Sequence, residues 1–569
     1  MNTGSQRLQN GIAYVLVDNG WKQCGLALVS GMSAGLAPEP VKAWPLMWVA
    51  LVPVWVMVIA GASHHKATVW KTGLIGACWG LGYYGVILMW ITGLHPLMWM
   101  GVPWLTSVAI ALFAWVTVTG WGMVWSGLWA SLLGWITKHL VSSSLSPASQ
   151  SQSSRLFLLA IIRVLIGTAL WCSIDWLWSQ GFLYWPSLAF TQSPNNLWIL
   201  QLGQWSGPTT VTATIVIVNG LLAEGLVLWS AAARSSLQRS NSEGFNEFKR
   251  SSSINAAQKC GAIALGVFLS LHILGGVLFH QPIAVDNQEP LNIGIIQGNI
   301  PTRIKLYAEG LRRAIDGYTT GYQKLVEQGV DAVLTPEGAL PIFWTPPLST
   351  RTSIFKAVLD HKIPLWLGTF VPNGHDFTQS IITLDAHGET VSQYNKAKLV
   401  PLGEYIPFAQ ILGDIVDRLS PLEAYMIPGT TDQRITTPLG QAIMGICYES
   451  AFAEPFRQQA ARGGEFLLTA SNNDPYNTVM MAQHHALDVM RAIETNRWAV
   501  RATNTGYSGV VNPRGQTLWR SQANIYDTHV ASIYRRRTQT LYVRYGDWLT
   551  PLLIIGAIAA SVLQAKRHH

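Results

Sequence analysis

The stretch Gln441–Ser450, QAIMGICYES, decides how this chain is read. An apolar run, the mark of a buried strand, breaks off into Cys447, Tyr448 and Glu449, so a thiol stands at the strand's polar end. The same pattern recurs upstream. Glu337 sits in LTPEGALP and Lys396 in YNKAKLVPLGEYIP, each at the polar end of a strand-like run. A thiolate, not a thiol, is the attacking species. Glu337 can take the thiol proton as general base and return it to a leaving group. Lys396 can stabilise the thiolate and the tetrahedral oxyanion, helped by a backbone N–H after the nucleophile. A thioester on Cys447 would divide acyl transfer into loading and release. Each residue alone is an ordinary structural residue; their joint placement at strand ends carries the reading. No histidine is near Cys447 in sequence, although His484 and His485 could approach it in space.

Outward from this stretch the composition divides the chain. Of 569 residues, 49% are hydrophobic and 12% charged, about half the charged share of a soluble domain. Residues 20–281 carry few charges outside short clusters, whereas 287–540 have the charge density of a water-soluble fold. A spanning helix needs about 20 mostly apolar residues. Seven candidates precede the soluble part: 23–38, 45–61, 69–92, 104–136, 157–177, 208–230 and 260–281. An eighth is 547–564. The first two are short, and the fourth is long enough to be one tilted helix or a helix hairpin. Spanning segments begin at once with no evident cleavage site, so the N-terminal stretch is expected to be retained. The 26 tryptophans cluster near the ends of the apolar runs, as interfacial anchors do.

Lysine and arginine alternate between the short loops, which sets orientation. Arg7, Lys22, Lys66, Lys71, Lys138 and Arg155 mark one side, joined by Arg234, Arg239, Lys249, Arg250, Lys259, Lys566 and Arg567. Both termini are therefore expected in the cytoplasm, with 287–540 on the opposite, extracytoplasmic face. The formal charge of +8 lies mostly beside apolar segments, which argues against nucleic acid as a partner. Residues 178–207 hold no Asp, Glu, Lys or Arg and many aromatics, so this loop is expected at the outer interface or folded back into the bundle. Residues 142–154 and 234–258 read as flexible cytoplasmic loops. Gly73, Gly76, Gly80, Gly82 and Gly85 suit close helix packing. Arg163 and Asp175 are costly in hydrocarbon and are either functional, an internal pair or placed at the interface. The five cysteines show no CxxC or metal-ligand spacing, and only Cys447 belongs to the soluble part.

From Pro290 on, strands LNIGIIQGN, DAVLTPE, IPLWLGTFV, SIITLDAHG, ETVSQYNKAKLV, QAIMGICYE, EFLLTAS, SGVVNPRG and QTLWR alternate with helices near 303–328, 452–463 and 478–498. That alternation predicts a layered α/β fold with its site at the strand ends. Residues 405–430 are apolar for a surface loop and read as a lid or membrane-dipping arm over the thiol, against the alternative of a plain core segment.

The Glu-Lys-Cys order with these local words resembles the nitrilase, or carbon–nitrogen hydrolase, superfamily. The words are IIQGNIP at 295–301, TPEGALP at 335–341, YNKAKLVPLGEYIP at 394–407, ICYES at 446–450 and RATNTGYSGVVNPRG at 501–515. With spanning segments before and after, nearly the whole chain resembles the apolipoprotein N-acyltransferase family. The resemblance implies a transmembrane bundle of about eight helices plus an extracytoplasmic, nitrilase-like αββα sandwich. The parts would be 1–286, 287–540 as the catalytic domain, and 541–569 as a last helix with a cytoplasmic tail. It implies Glu337 as general base, Lys396 as oxyanion stabiliser and Cys447 as nucleophile. Glu404 would be a second glutamate positioning the triad, with Tyr448 and Glu449 supporting the nucleophile. It further implies a phospholipid acyl donor, a diacylglyceryl-modified apolipoprotein acceptor, no metal or organic cofactor, and a bacterial cytoplasmic (inner) membrane; the oligomeric state stays open, with a monomer favoured. Two departures stand out: Leu306 replaces the usual aromatic after QGxIP, and the Ser-Asn-Asp-Ala-Trp stretch reads Ser471, Asn472, Asn473, Asp474, Pro475, Tyr476. The rival readings are a membrane-tethered amidase hydrolysing a small amide, and a non-catalytic receptor or transporter subunit on a degenerate fold.

Overall fold

A computed structural model describes residues 20–62, 68–142, 152–181, 183–237, 243–283, 289–401, 403–405, 425–474 and 476–566. The N-terminal part is helical: α1 Gly20–Gly35, α2 Val52–Ala62, α3 Val69–Ile87, α4 Trp104–Ser142, α5 Gln152–Gln180, α6 Pro208–Leu237 and α7 Glu243–His280. Trp44–Ala62, Trp104–Leu140, Gln152–Gln180, Pro208–Ala233 and Arg250–His280 are long and apolar enough to cross a membrane, and Leu549–Gln564 is a shorter apolar helix. Their outward surfaces are apolar. Leu105 and Phe113 of α4, and Leu265 and Ile273 of α7, face out, an exposure that only a hydrocarbon solvent makes favourable. Trp21, Trp70, Trp104 and Trp176 stand exposed near helix ends, the place for interfacial anchors.

Several expectations are corrected here. Residues 45–61 are not one helix but a single 3-10 turn, Trp44–Trp48, followed by α2, because Pro45 and Pro53 interrupt the backbone ladder. Residues 104–136 form one continuous helix and no hairpin, since nothing from Trp104 to Ser142 is a proline. Residues 234–258 are largely helical rather than a loop: α6 runs to Leu237 and α7 starts at Glu243. Of the orientation-setting residues, Arg7, Lys66, Arg239 and Arg567 lie outside the described residues, as do 143–151 of the Ser-rich loop.

Glycines set the closest helix approaches. A Cβ at Gly82 of α3 would lie 2.2 Å from the Leu28 carbonyl oxygen of α1, and one at Gly76 lies 2.5 Å from that of Ser126 in α4. Van der Waals contact between backbones replaces the hydrophobic effect as the cohesive force in lipid. Arg163 is buried and paired with Glu224 of α6, its Nε donating to Oε1 at 2.8 Å. Trp55 Nε1 donates to the same oxygen at 3.3 Å, so this charge pair is internal and satisfied.

The uncharged loop after α5 folds back. Phe190 and Gln192 are fully buried, and Gln192 Oε1 accepts from Trp48 Nε1 at 3.1 Å. From the same loop Ser193 Oγ donates to the Ala486 carbonyl at 2.6 Å, and Gln201 Nε2 to that of Arg514 at 2.9 Å. It is therefore the seat that ties the helices to the C-terminal part.

That part has two six-stranded sheets. The first runs β12-β1-β2-β3-β4-β5 and the second β11-β10-β9-β8-β7-β6. The strands are β1 Leu291–Gln297, β2 Ala332–Leu334, β3 Leu365–Asn373, β4 Asp376–Leu384, β5 Thr390–Asn395 and β6 Ile435–Thr437. They continue as β7 Gly440–Ile446, β8 Phe466–Ser471, β9 Ala499–Thr503, β10 Gly509–Val511, β11 Thr517–Arg520 and β12 Asp527–Ile533. Sequence patterning missed β6, β9 and β12: β6 and β12 are short or half-exposed edge strands with little apolar signal, and β9, though fully buried, is five residues long with Arg501 at its centre. The helices are α8 Ala308–Glu327, α9 Ser353–His361, α10 Ala453–Ala461, α11 Thr478–Thr495 and α12 Leu549–Lys566. Ile293, Ile295, Trp366, Met444, Ile446 and Val500 pack between the sheets. Tyr318 and Tyr322 of α8 and Val358 of α9 cover the first sheet's other face. Ile443 and Leu467 of the second sheet pack with Phe456 of α10 and Met490 of α11, in one apolar cluster that continues into the helical part. Both faces of β7 are thus buried, which is why its sequence reads as an unbroken apolar run.

Candidate active site

Cys447 is the first residue past β7 and opens a one-turn 3-10 helix, Cys447–Ala451. Its φ is +54°, a left-handed conformation that costs a non-glycine residue about 1–2 kcal/mol. A buried network holds the turn in place. Ser450 Oγ donates to Asp488 Oδ1 at 2.8 Å, while Asp488 Oδ2 accepts from Thr469 Oγ1 at 2.7 Å and Arg501 Nε at 2.5 Å. Arg501 also donates to Ser471 Oγ at 2.6 Å and to Ser450 Oγ at 3.0 Å. Strain at a reactive side chain persists only when its surroundings over-determine it, and here they do.

Glu337 follows β2 on a turn completed by Gly338 at φ +53°. The turn presses against β3: a Cβ at Gly368 would lie 1.9 Å from the Pro336 carbonyl oxygen. Lys396 follows β5 directly and is fully buried. Its Nζ donates to Glu337 Oε1 at 2.8 Å and to Glu404 Oε1 at 2.5 Å. Glu337 Oε2 accepts from the Asn472 N–H at 2.7 Å, and Glu404 Oε2 from the Val400 N–H at 2.9 Å. Glu404 thus does two things at once: it anchors its own loop and carries half of the lysine's counter-charge. The structure brings Glu337, Lys396, Glu404 and Cys447 into one buried cluster, although up to 110 residues separate them in sequence.

The electrostatics of the cluster assign protons. Burial disfavours a charged Lys396, but Glu337 and Glu404 outweigh it and hold the ammonium well above its ordinary range. Burial also pushes the Cys447 thiol up, reinforced by the Glu337 charge and its hydrogen bond to the thiol, with Lys396 pulling the other way. The resting group is therefore S–H, with a carboxylate in place to receive its proton.

A carbon–nitrogen hydrolase family model matches residues 292–542, and the apolipoprotein N-acyltransferase N-terminal domain model matches 30–221. An apolipoprotein N-acyltransferase of Nostoc sp. is 48% identical over 91% of this chain and 95% of its own length. The chain belongs to the apolipoprotein N-acyltransferase family. Its relative from Synechocystis sp. is 43% identical over 93% of this chain and 98% of that one. An amidase from Nesterenkonia sp. aligns with 48% of this chain and 98% of its own at 20% identity and a TM-score of 0.35.

The two residues after Cys447 have distinct surroundings. Glu449 is fully buried. Its carboxylate accepts from the Ile446 N–H at 2.6 Å, the Ala397 N–H at 2.6 Å, the Lys398 N–H at 3.1 Å and Tyr394 Oη at 3.0 Å. It therefore clamps the end of β7 to the end of β5, and so Cys447 to Lys396. Burial lifts this carboxyl to about 7, opposed chiefly by the backbone N–H groups. Tyr448 Oη donates to the Tyr184 carbonyl at 2.7 Å, tying the nucleophile turn to the loop of the helical part.

The histidines do not form a Cys-His pair. His484 Nε2 lies 2.6 Å from the Cys447 carbonyl oxygen and its Nδ1 2.9 Å from Asn473 Nδ2. Burial and then the Arg501 charge push it down to about 3, so it is a neutral donor supporting the turn. His485 bonds Thr517 Oγ1 at 2.8 Å, away from the thiol.

Sequence reading passed over Lys305 and Asn504, and named Asn472 without giving it a contact in the site. Lys305 is buried and donates to the Glu337 carbonyl at 3.0 Å; desolvation pulls it down to about 8. Nothing in TRIKLY signals a buried lysine, because the burial comes from the turn Thr302–Lys305 folding over Glu337. Asn504 accepts from the Ile300 N–H at 2.8 Å and donates to Asn472 Oδ1 at 3.0 Å, fixing the QGNIP loop beside the site. Its presence in the quoted RATNTG word was the available signal. Leu306 and Tyr307 are both exposed beyond Lys305. In the altered loop Asp474 Oδ2 accepts from the Thr302 N–H at 2.5 Å, and Tyr476 meets Trp90 edge-on at 5.1 Å. Pro475, and residues 406–424 of the expected arm, lie outside the described residues.

Proposed function

We propose that this chain is an apolipoprotein N-acyltransferase of the bacterial cytoplasmic membrane. It takes a fatty acyl group from a membrane phospholipid and passes it through a Cys447 thioester to the N-terminal α-amine of S-diacylglyceryl-cysteine in lipoproteins. The observation that carries this reading is the buried Glu337–Lys396–Glu404 cluster around the Cys447 thiol, in a chain whose helices present apolar surface outward.

In loading, Glu337 takes the Cys447 proton as sulfur attacks the acyl ester carbonyl. Lys396, with the backbone N–H after the nucleophile, stabilises the oxyanion. The C–O bond then breaks, Glu337 returns the proton to the leaving alkoxide, and a lysophospholipid departs. In release, the uncharged α-amine attacks the thioester, Glu337 removes its extra proton, and the thiolate leaves and is reprotonated. Glu404 holds Lys396 charged through both steps. No metal or organic cofactor enters either step, and the amidase reading, with water in place of the amine, is not favoured.

The topology that suits this chemistry has seven crossings before the catalytic domain and one after, about eight in all, with both termini cytoplasmic. Residues 1–286 would be the first membrane part, 287–540 the extracytoplasmic catalytic domain and 541–569 the last helix and tail, acting as a monomer. Both substrates reach the thiol only from the bilayer, which accounts for the domain's tether. The test is the intact mass of the Cys447 peptide after incubation with defined phospholipids. A fatty-acyl increment is expected in wild type, discharged by a diacylglyceryl-cysteine peptide and missing in Cys447→Ala. Failure to acylate with the protein folded refutes the reading.

A further inference from the structure

We infer that Lys398 is the anion-binding residue of a headgroup site that receives the phosphodiester of the glycerophospholipid donor. This rests on the thioester reading above. A groove of about 420 Å³ runs between the C-terminal end of α5, at Gln180, and the catalytic domain. Its wall includes Ala397, Tyr405 and Tyr448, the residues that immediately follow Lys396, Glu404 and Cys447 in the chain. It thus lies against the catalytic cluster on one side and against a membrane-crossing helix on the other.

Among the described residues the lining is otherwise apolar or uncharged, with Leu399, Met426 and Phe452 among its members, and Lys398 is the one charged residue. The Lys398 ammonium lies 4.9 Å above the Phe452 ring. Among the described residues it forms no ion pair. Glu449, whose carboxylate accepts from the Lys398 backbone N–H at 3.1 Å, is occupied by Tyr394 and three backbone N–H groups. A half-buried ammonium with no ion-pair partner is a costly arrangement unless an anion from outside completes it. Burial pulls this amine below its ordinary range, with the Glu449 charge opposing it only in part.

An anion beside a greasy wall at a membrane helix's end describes a phosphodiester esterified to diacylglycerol. The phosphate meets Lys398 through a charge-assisted hydrogen bond, and acyl carbons meet the apolar wall. In the adjoining cavity, which Lys398 also lines, Asp175, Glu454 and Asp547 form no ion pair with it. Glu454 is taken by Arg457 at 2.6 Å, and Asp547 by Ser206 at 2.9 Å and Thr209 at 2.8 Å.

The test compares Cys447 acylation of the full chain in mixed micelles by phosphatidylglycerol and by neutral diacylglycerol of the same chains. Wild type is expected to load from the phospholipid at least tenfold faster. The ratio of the two rates should fall about tenfold in Lys398→Gln and recover in Lys398→Arg. Because each ratio is taken within one protein sample, a partial folding defect cancels. A ratio unchanged in Lys398→Gln, including the case where both rates fall together, overturns the headgroup site and leaves the thioester reading standing. No adduct in wild type from either lipid overturns both. Inorganic phosphate at millimolar concentration is expected to leave the ratio unchanged; equal competition would reassign Lys398 to free phosphate.

Discussion

Replacing Glu449 by glutamine tests whether the clamp between β5 and β7 assembles the site. The carboxylate receives four hydrogen bonds. A glutamine keeps one oxygen, which can face the Ala397 and Lys398 N–H groups. Its NH₂ then faces the Ile446 N–H and Tyr394 Oη. The tyrosine can turn to accept, but the Ile446 N–H is left without a partner, at about 1–3 kcal/mol. The two retained bonds lose their charge assistance, about 1 kcal/mol each. The sum is about 3–5 kcal/mol. In a domain of this size that corresponds to a thermal midpoint lowered by roughly 6–20 °C. Because Ile446 precedes the nucleophile and Ala397 follows the lysine, the damage falls on the Cys447–Lys396 geometry. Acyl loading should drop on the order of 100-fold, since small misplacements of reacting groups cost that much. Intact-mass kinetics of Cys447 acylation and a melting curve on the same detergent-purified sample measure both. A Glu449→Gln protein that melts and loads like wild type would falsify the clamp.

Three further outcomes follow from the geometry. Glu337→Gln removes the proton acceptor and one of the two counter-charges of Lys396; loading should fall at least 100-fold, and near-normal adduct formation would remove Glu337 as the base. Gly368→Ala introduces a methyl 1.9 Å from the Pro336 carbonyl oxygen; it should lose most loading without altering any ionisable group, and full activity would show that the Glu337 turn has slack. His484 is held neutral, at about 3 against an ordinary 6.5. Its stabilising contribution is complete above pH 6.5 and is lost as the pH falls toward 3, because the unfolded chain binds the proton first. His484→Gln should therefore flatten the fall of unfolding free energy with pH by up to about 1.4 kcal/mol per pH unit between 6 and 4. Parallel pH profiles of wild type and variant would contradict the neutral assignment.

Particular residues show where sequence was enough. Cys447 and Glu337 were legible because a strand with both faces buried must be apolar throughout, and a polar group then stands out at its end; Lys396 was legible only from its place in the YNKAKLV word, since β5 is polar and half-exposed. The long apolar runs were legible for a similar reason: hydrocarbon accepts few charges, so composition alone marks the helices. The partners of these residues were not legible. Glu224 meets Arg163 across 61 residues, and Lys305 reaches the Glu337 carbonyl only through a turn that nothing in TRIKLY announces. Periodicity reports which face of an element is buried, not which element covers it. Sequence by itself determined the chemistry on offer, a thiol, an ammonium and carboxylates, and the solvent each part must tolerate. The tertiary structure alone decided their protonation and their pairing: Coulomb interactions and desolvation depend on distance and burial, and in this chain both are set by contacts between segments far apart in sequence.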